Sequence, residues 1–171
     1  MANVGQALAA ELEKESAATR RLLERIPADR LSWQPHDKSM TLGQLGLHLA
    51  GLPGTFARLG QLDGLDASTV DFAPKTPQST DEILATWESS LADAKAFLGG
   101  LDDATAKGPW RLSLGERELA TMPRHELVRS LMFNHSYHHR GQLSVYLRLL
   151  DVPVPATYGN SADENPFAQA G

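Results

Sequence analysis

Six histidines occur in the chain, at positions 36, 48, 125, 135, 138 and 139. Three of them fall within the run Asn134-His135-Ser136-Tyr137-His138-His139-Arg140. On a helix, His135 can pair with His138 (i, i+3) or with His139 (i, i+4), and both spacings can chelate one metal ion. There is no cysteine. That excludes disulfides, thiolate ligands, iron–sulfur clusters and a cysteine nucleophile. Any metal site must use histidine, carboxylate, carbonyl or water.

The phase of the helix bears on the choice. Counting about 100° per residue from Leu127, the residues Val128, Leu131, Met132, Leu143, Tyr146, Leu149 and Leu150 form an apolar stripe at about 40–160°. His135 falls near about 80° and His139 near about 120°, in the middle of that stripe, and His138 falls near about 20°, at its edge. Ser136, Tyr137, Arg140 and Arg148 fall at roughly 180–300°, on the outer face, with Phe133 off the stripe at about 240°.

Two histidines on a buried stripe need partners, because unpaired buried polar groups cost free energy and adjacent imidazoles resist double protonation. A shared metal takes one lone pair from each ring. His48 is the candidate third ligand, mid-helix in Leu45-Gly-Leu-His48-Leu-Ala-Gly-Leu52. Gly46, Ala50 and Gly51 beside it are small enough for the other helix to approach. The competing reading is three hydrogen-bonded core histidines without metal. His36, in a polar loop, and His125, in a first helical turn, read as exposed structural residues. His138 reads as a partly buried hydrogen-bonding residue, at a candidate subunit contact.

Four long helical segments must position these residues. The first spans about residues 4–26 and is stopped by Pro27. The second, about 41–59, opens on the capping box Thr41-Leu-Gly-Gln44, and Gly51, Pro53 and Gly54 should kink or split it. After a Gly-, Asp- and Pro-rich loop at 60–78, Ser79-Thr-Asp-Glu82 caps a third helix that Gly99-Gly100 ends. Residues 108–121 read as a short hairpin turning at Gly115-Glu116. Thr121 caps the last helix, about 122–151, with Pro123 in its first turn. The expected class is all-α: a four-helix bundle in one domain over 1–171, with an irregular tail at 153–171.

The chain has 171 residues, 42% hydrophobic and 22% charged, as expected of a soluble globular domain. Its net charge is −5. Nucleic-acid binding rests on phosphate neutralisation by a basic face, and none is visible, so no nucleic-acid partner is expected. No apolar run is long enough for a membrane span and the first residues lack a signal-peptide pattern, so the expected compartment is the cytoplasm.

The run His135-Ser-Tyr-His-His139-Arg-Gly-Gln-Leu-Ser-Val-Tyr-Leu-Arg148 resembles the signature of the DinB-like (damage-inducible protein B) family. Trp33-Gln-Pro, Met40-Thr-Leu-Gly-Gln-Leu-Gly-Leu-His48-Leu-Ala and the tail Pro153-Val-Pro-Ala-Thr-Tyr158-Gly-Asn-Ser-Ala-Asp-Glu164 are similar to other stretches of it. The resemblance implies a four-helix bundle with up-down-down-up topology and a divalent metal on His48, His135 and His139. It also implies a homodimer, for which Phe133 is a candidate contact.

Three neutral histidines leave coordination positions open, as catalytic sites do, and keep the metal's full charge available to acidify water or hold a thiolate. Zinc, nickel, iron and manganese all suit such a set, zinc and nickel best. Two reaction classes on a small-molecule substrate follow: hydrolysis by activated water, and S-transfer from a low-molecular-weight thiol, which family relatives carry out. The alternative is a non-catalytic metal-binding stress-response protein. Gln142, at about 60°, is a candidate to orient a ligand, and Tyr146 to line the pocket. The catalytic residues are unknown. Asp37, Glu82 and Glu126 suit the role of general base by type, but helix dipoles account better for their positions.

Overall fold

The computed structural model describes residues 3–168. Helix α1 (Val4–Leu23) starts at Asn3, whose side chain accepts the N–H of Gln6 while Gln6 returns a bond to the Asn3 N–H. Helix α2 (Leu42–Gly60) starts on the matching box formed by Thr41 and Gln44. Both boxes satisfy two orphan donors of a first turn. At α3 (Thr80–Gly100), Ser79 caps the Glu82 N–H, but the Glu82 carboxylate accepts from Gln78 instead of closing the box.

α2 is not split. It runs unbroken through Pro53, although proline removes one helical donor. The neighbouring helix grips the next residue: the Gly54 N–H donates to Ser90 Oγ of α3 at 2.7 Å. The small residues of α2 face this contact. A Cβ at Gly54 would stand 2.9 Å from Ser90 Cα, and one at Gly46 would stand 2.5 Å from Ile26 Cδ1 and 3.2 Å from Ile83 Cδ1. Gly46 therefore admits Ile26 and α3, and Gly51 faces Thr86 of α3, rather than the helix that carries His135 and His139.

The class departs from all-α. Helices dominate, but Gly64–Asp66 (β1), Pro109–Leu114 (β2) and Arg117–Pro123 (β3) form a three-stranded sheet in that order. The hairpin of β2 and β3 turns at Gly115, whose φ is +60°. β1 pairs parallel with β2, Gly64 opposite Arg111, within a stretch that reads as loop. Side chains supply the reason. The indole N–H of buried Trp110 donates to Leu59 O at the end of α2 (3.0 Å), and Asp66 Oδ1 accepts the Gly115 N–H (2.8 Å). A short helix α4 (Asp103–Lys107) precedes β2.

The last helical stretch is three pieces in series: α5 (Arg124–Leu127), a π-helical segment (Val128–Asn134) and α6 (His135–Leu149). Thr121 does not cap it. Thr121 lies in β3, bonded to Glu118, and Pro123 holds the cap position.

Residue pairs give the helix directions. Gly46 meets Ile83, Gly54 meets Ser90 and Gly60 meets Phe97, so α2 and α3 run parallel. Glu13 pairs with Lys95 and Arg20 with Glu88, so α1 runs against α3. Glu11 pairs with Arg129 and Glu15 with Arg140, so α1 runs with the last stretch. Two apolar clusters fill the interior, one around Leu22, Leu45, Leu49, Ile83 and Leu143, the other around Leu12, Leu98, Met132 and Phe133. No helix among the described residues is long and apolar enough to cross a membrane.

Candidate metal centre

His48 projects from the middle of α2, and His135 and His139 from the first two turns of α6. Their rings converge, with centroids 5.2 Å apart for His48 and His135, and 4.6 Å for both other pairs. One ring nitrogen from each lies within 4.8 Å of the others. The i, i+4 pair is the one that meets His48. His138 is exposed and takes no place in that group, although its ring stacks edgewise on His139.

The polar bookkeeping around the rings is incomplete. His48 Nε2 and His135 Nε2 face each other at 3.5 Å, and His135 Nδ1 is buried without a partner. Two nitrogens held about 2.0–2.1 Å from one tetrahedral ion stand roughly 3.3–3.4 Å apart, so the observed spacing fits ligands of one cation. His139 Nδ1–H donates to Gln142 Oε1 at 2.7 Å, which leaves the Nε2 lone pair free. Gln142 thus sits against the site. Tyr146 does not: its hydroxyl donates to Met40 O (3.2 Å) and its ring stands edge-on to Trp33, so it anchors the loop before α2.

Burial lowers all three imidazole pKa values. For His48 the neighbouring His135 adds to it, and for His135 the neighbouring His138 does. His139 is lowered to about 4, burial acting first and the Gln142 bond opposing it. Near pH 7 the site therefore offers neutral rings, the form that ligates.

The straight-helix count fails beyond Val128. Turns closed i→i+5 advance less per residue than α turns, so residues past the π segment lag behind that count. Phe133, placed off the stripe, is buried in the second cluster and is no free contact residue. Arg140, placed outside, is 3% exposed. His138, expected to be partly buried, is exposed, and so is Leu149. His135 and His139 sit at the α2 edge of the buried side, His135 half-buried and His139 buried. His36 is exposed, and His125 is half-buried with Nδ1 2.9 Å from Ala106 O.

On the opposite edge of α6 lies a network that sequence reasoning missed. Arg140 donates to Glu15 Oε2 (2.8 Å), Glu15 O and Thr19 Oγ1, and bonds the Tyr158 hydroxyl. Its guanidinium lies 5.0 Å from the Tyr137 ring centre and 4.8 Å from that of Tyr158. Arg129 grips Glu11 through both carboxylate oxygens (2.7 and 2.6 Å), and Tyr137 donates to Glu11. The available signal was the alternation of Glu11 and Glu15, one turn apart on α1, with Arg129 and Arg140.

Comparison with known proteins agrees with this architecture. The chain is 26% identical to YrdA, an uncharacterized protein of Bacillus subtilis, over 89% of this chain and 86% of that one. A DinB-like protein of Bacillus cereus superposes with a TM-score of 0.68 at 22% identity, over 88% of this chain and 95% of that one. A protein of Exiguobacterium sibiricum, described as a putative member of the DinB family, does so with a TM-score of 0.66 at 22% identity, over 91% and 97%. The sequence model of the DinB family matches residues 1–166, so the chain belongs to the DinB family.

Proposed function

We propose that this chain binds a divalent metal, zinc or nickel in first place, through His48, His135 and His139, and acts as a metal-dependent enzyme on a small molecule. The carrying observation is the convergence of three ring nitrogens from two helices, with His48 and His135 half-buried. This reading takes the four long helices as the up-down-down-up bundle of the family, decorated by the small sheet. It also places the protein in the cytoplasm as a homodimer.

A bound divalent ion supplies Lewis acidity, which makes water or an incoming thiol a better nucleophile near pH 7. The chain's own residues do the rest. His139, held by Gln142, presents a fixed tautomer. Phe56, with its ring centre 6.1 Å from that of His135, puts an apolar wall on one side of the site. Since the chain has no cysteine, a thiol in the reaction comes with the substrate. S-transfer from a low-molecular-weight thiol to an electrophile is the first reaction proposed, and hydrolysis the second.

Metal analysis of untagged protein tests the site: less than about 0.2 ion per chain after reconstitution sinks it. Loaded protein is then assayed with common thiols and model electrophiles. Product formation that His135→Ala abolishes supports the enzyme. Full loading with no turnover on thiols, esters or amides favours the non-catalytic metal-binding alternative.

A further inference from the structure

The π segment leaves a question open about α6. A π turn holds close to one residue more than an α turn and interconverts with it by a shift of hydrogen bonds. A helix that follows such a turn has no rotation dictated by the count of residues before it. Something beyond the turn must select the rotation that points His135 and His139 at His48.

Arg140 is placed to do so. It follows His139 directly and points to the other side of α6, toward α1. Its guanidinium is buried and bonded to Glu15, Thr19 and Tyr158, and it is flanked by the rings of Tyr137 and Tyr158. The Tyr158 hydroxyl also donates to Glu15 Oε2 (2.8 Å), which closes a triangle of Arg140, Glu15 and Tyr158. Glu15 belongs to α1 and Tyr158 to the tail, so the triangle ties α6 to two separate parts of the chain. A planar guanidinium in such a setting tolerates little rotation.

We propose that Arg140, locked by Glu15 and Tyr158, is the positioning residue of the metal centre: it sets the rotation of α6 from the face opposite the histidines. The proposal rests on the metal-binding reading above. It gives the tail a role, since Tyr158 completes the lock from outside the long helices.

The test uses cobalt(II) affinity and the visible absorption of bound cobalt, which reports ligand geometry. Arg140→Leu that folds by circular dichroism should bind cobalt at least about 10-fold more weakly with an altered spectrum, the scale expected for groups that orient ligands. Arg140→Lys keeps the charge but not the fork, and should fall between Arg140→Leu and the parent. Deletion of exposed Ser130 lets the π turn close as an α turn, and the lock should then hold α6 in place with cobalt affinity within about 3-fold of the parent. Parent-like affinity and spectrum in Arg140→Leu overturn the proposal. If Arg140→Leu does not fold, parent-like values in Arg140→Lys overturn it instead. If the parent itself takes up no cobalt, the metal reading fails. The lock is then judged by maleimide labelling at Leu147→Cys, a buried position in a chain without other cysteines. Labelling should speed up when Arg140→Lys is added, and an unchanged rate overturns the lock.

Discussion

The two edges of α6 carry polar residues in contrasting states. Toward α1, Arg140, Tyr137 and, from the π segment, Arg129 meet Glu11, Glu15 and Tyr158, and the Glu11 and Glu15 carboxylates have cationic partners. Arg129 holds the Glu11 carboxyl below the usual range, and burial, with Glu11 beside it, pushes the Tyr137 hydroxyl up. Toward α2, one ring nitrogen from each of three imidazoles lies within 4.8 Å of the others, and the Nε2 atoms of His48 and His135 face each other at 3.5 Å. Polar groups buried with complements hold a fold together, whereas polar groups crowded together without them mark a candidate site. The contrast separates architecture from chemistry on one helix, within one turn.

The largest expected effect falls on the α2 edge. His135→Ala should lose the metal altogether, while His138→Ala retains it within about 3-fold, as read by metal content after dialysis. Equal loss in both variants would erase the distinction between these neighbours. On the α1 edge, Arg140→Leu strands Glu15 and should cost about 3–5 kcal/mol in urea unfolding, as breaking one partner of a buried ion pair does.

Acid should act on the α2 edge first. His139 titrates near about 4 in the folded chain, against about 6.5 for an unperturbed histidine. The unfolded state therefore binds more protons between these values. The stability of the metal-free protein should be full above about pH 6.5 and decline as the pH falls toward 4. His139→Leu should flatten that decline in a series of thermal melts, and an unchanged slope would assign the acid sensitivity elsewhere.

Smaller effects sharpen the division. Gln142→Leu should weaken the metal about 10-fold while leaving the fold intact, because it frees the His139 ring to turn. Tyr137→Phe should cost about 1–2 kcal/mol through the lost bond to Glu11 and leave the metal affinity unchanged.

Much of this was legible in the chain. The capping residues Thr41 and Ser79 act locally, so sequence alone places the starts of α2 and α3. Gly115 marks its turn because a positive φ is easy for glycine alone. The i, i+3 and i, i+4 spacings from His135 both survive any rotation of the helix, so spacing alone left His138 and His139 as alternatives, and the fold places His139 beside His48 and His138 in solvent. Tyr146 keeps its place on the apolar stripe, packed against the core beside Trp33. β1 was hidden because three residues with no apolar alternation form a strand only when β2 lies alongside.

By itself, the sequence determined the candidate ligand types, their spacing, the starts of α2 and α3 and the lack of any internal thiol. These follow from side-chain chemistry and bonds within one turn. The tertiary structure alone decided the rotation of α6, the burial of Arg140 and the side on which His138 lies. A π turn is rare and no local motif in the chain announces it, so the sequence pattern alone does not reveal it. Contacts far apart in sequence, between Glu15 and Arg140 and between His48 and its neighbours on α6, fix that rotation.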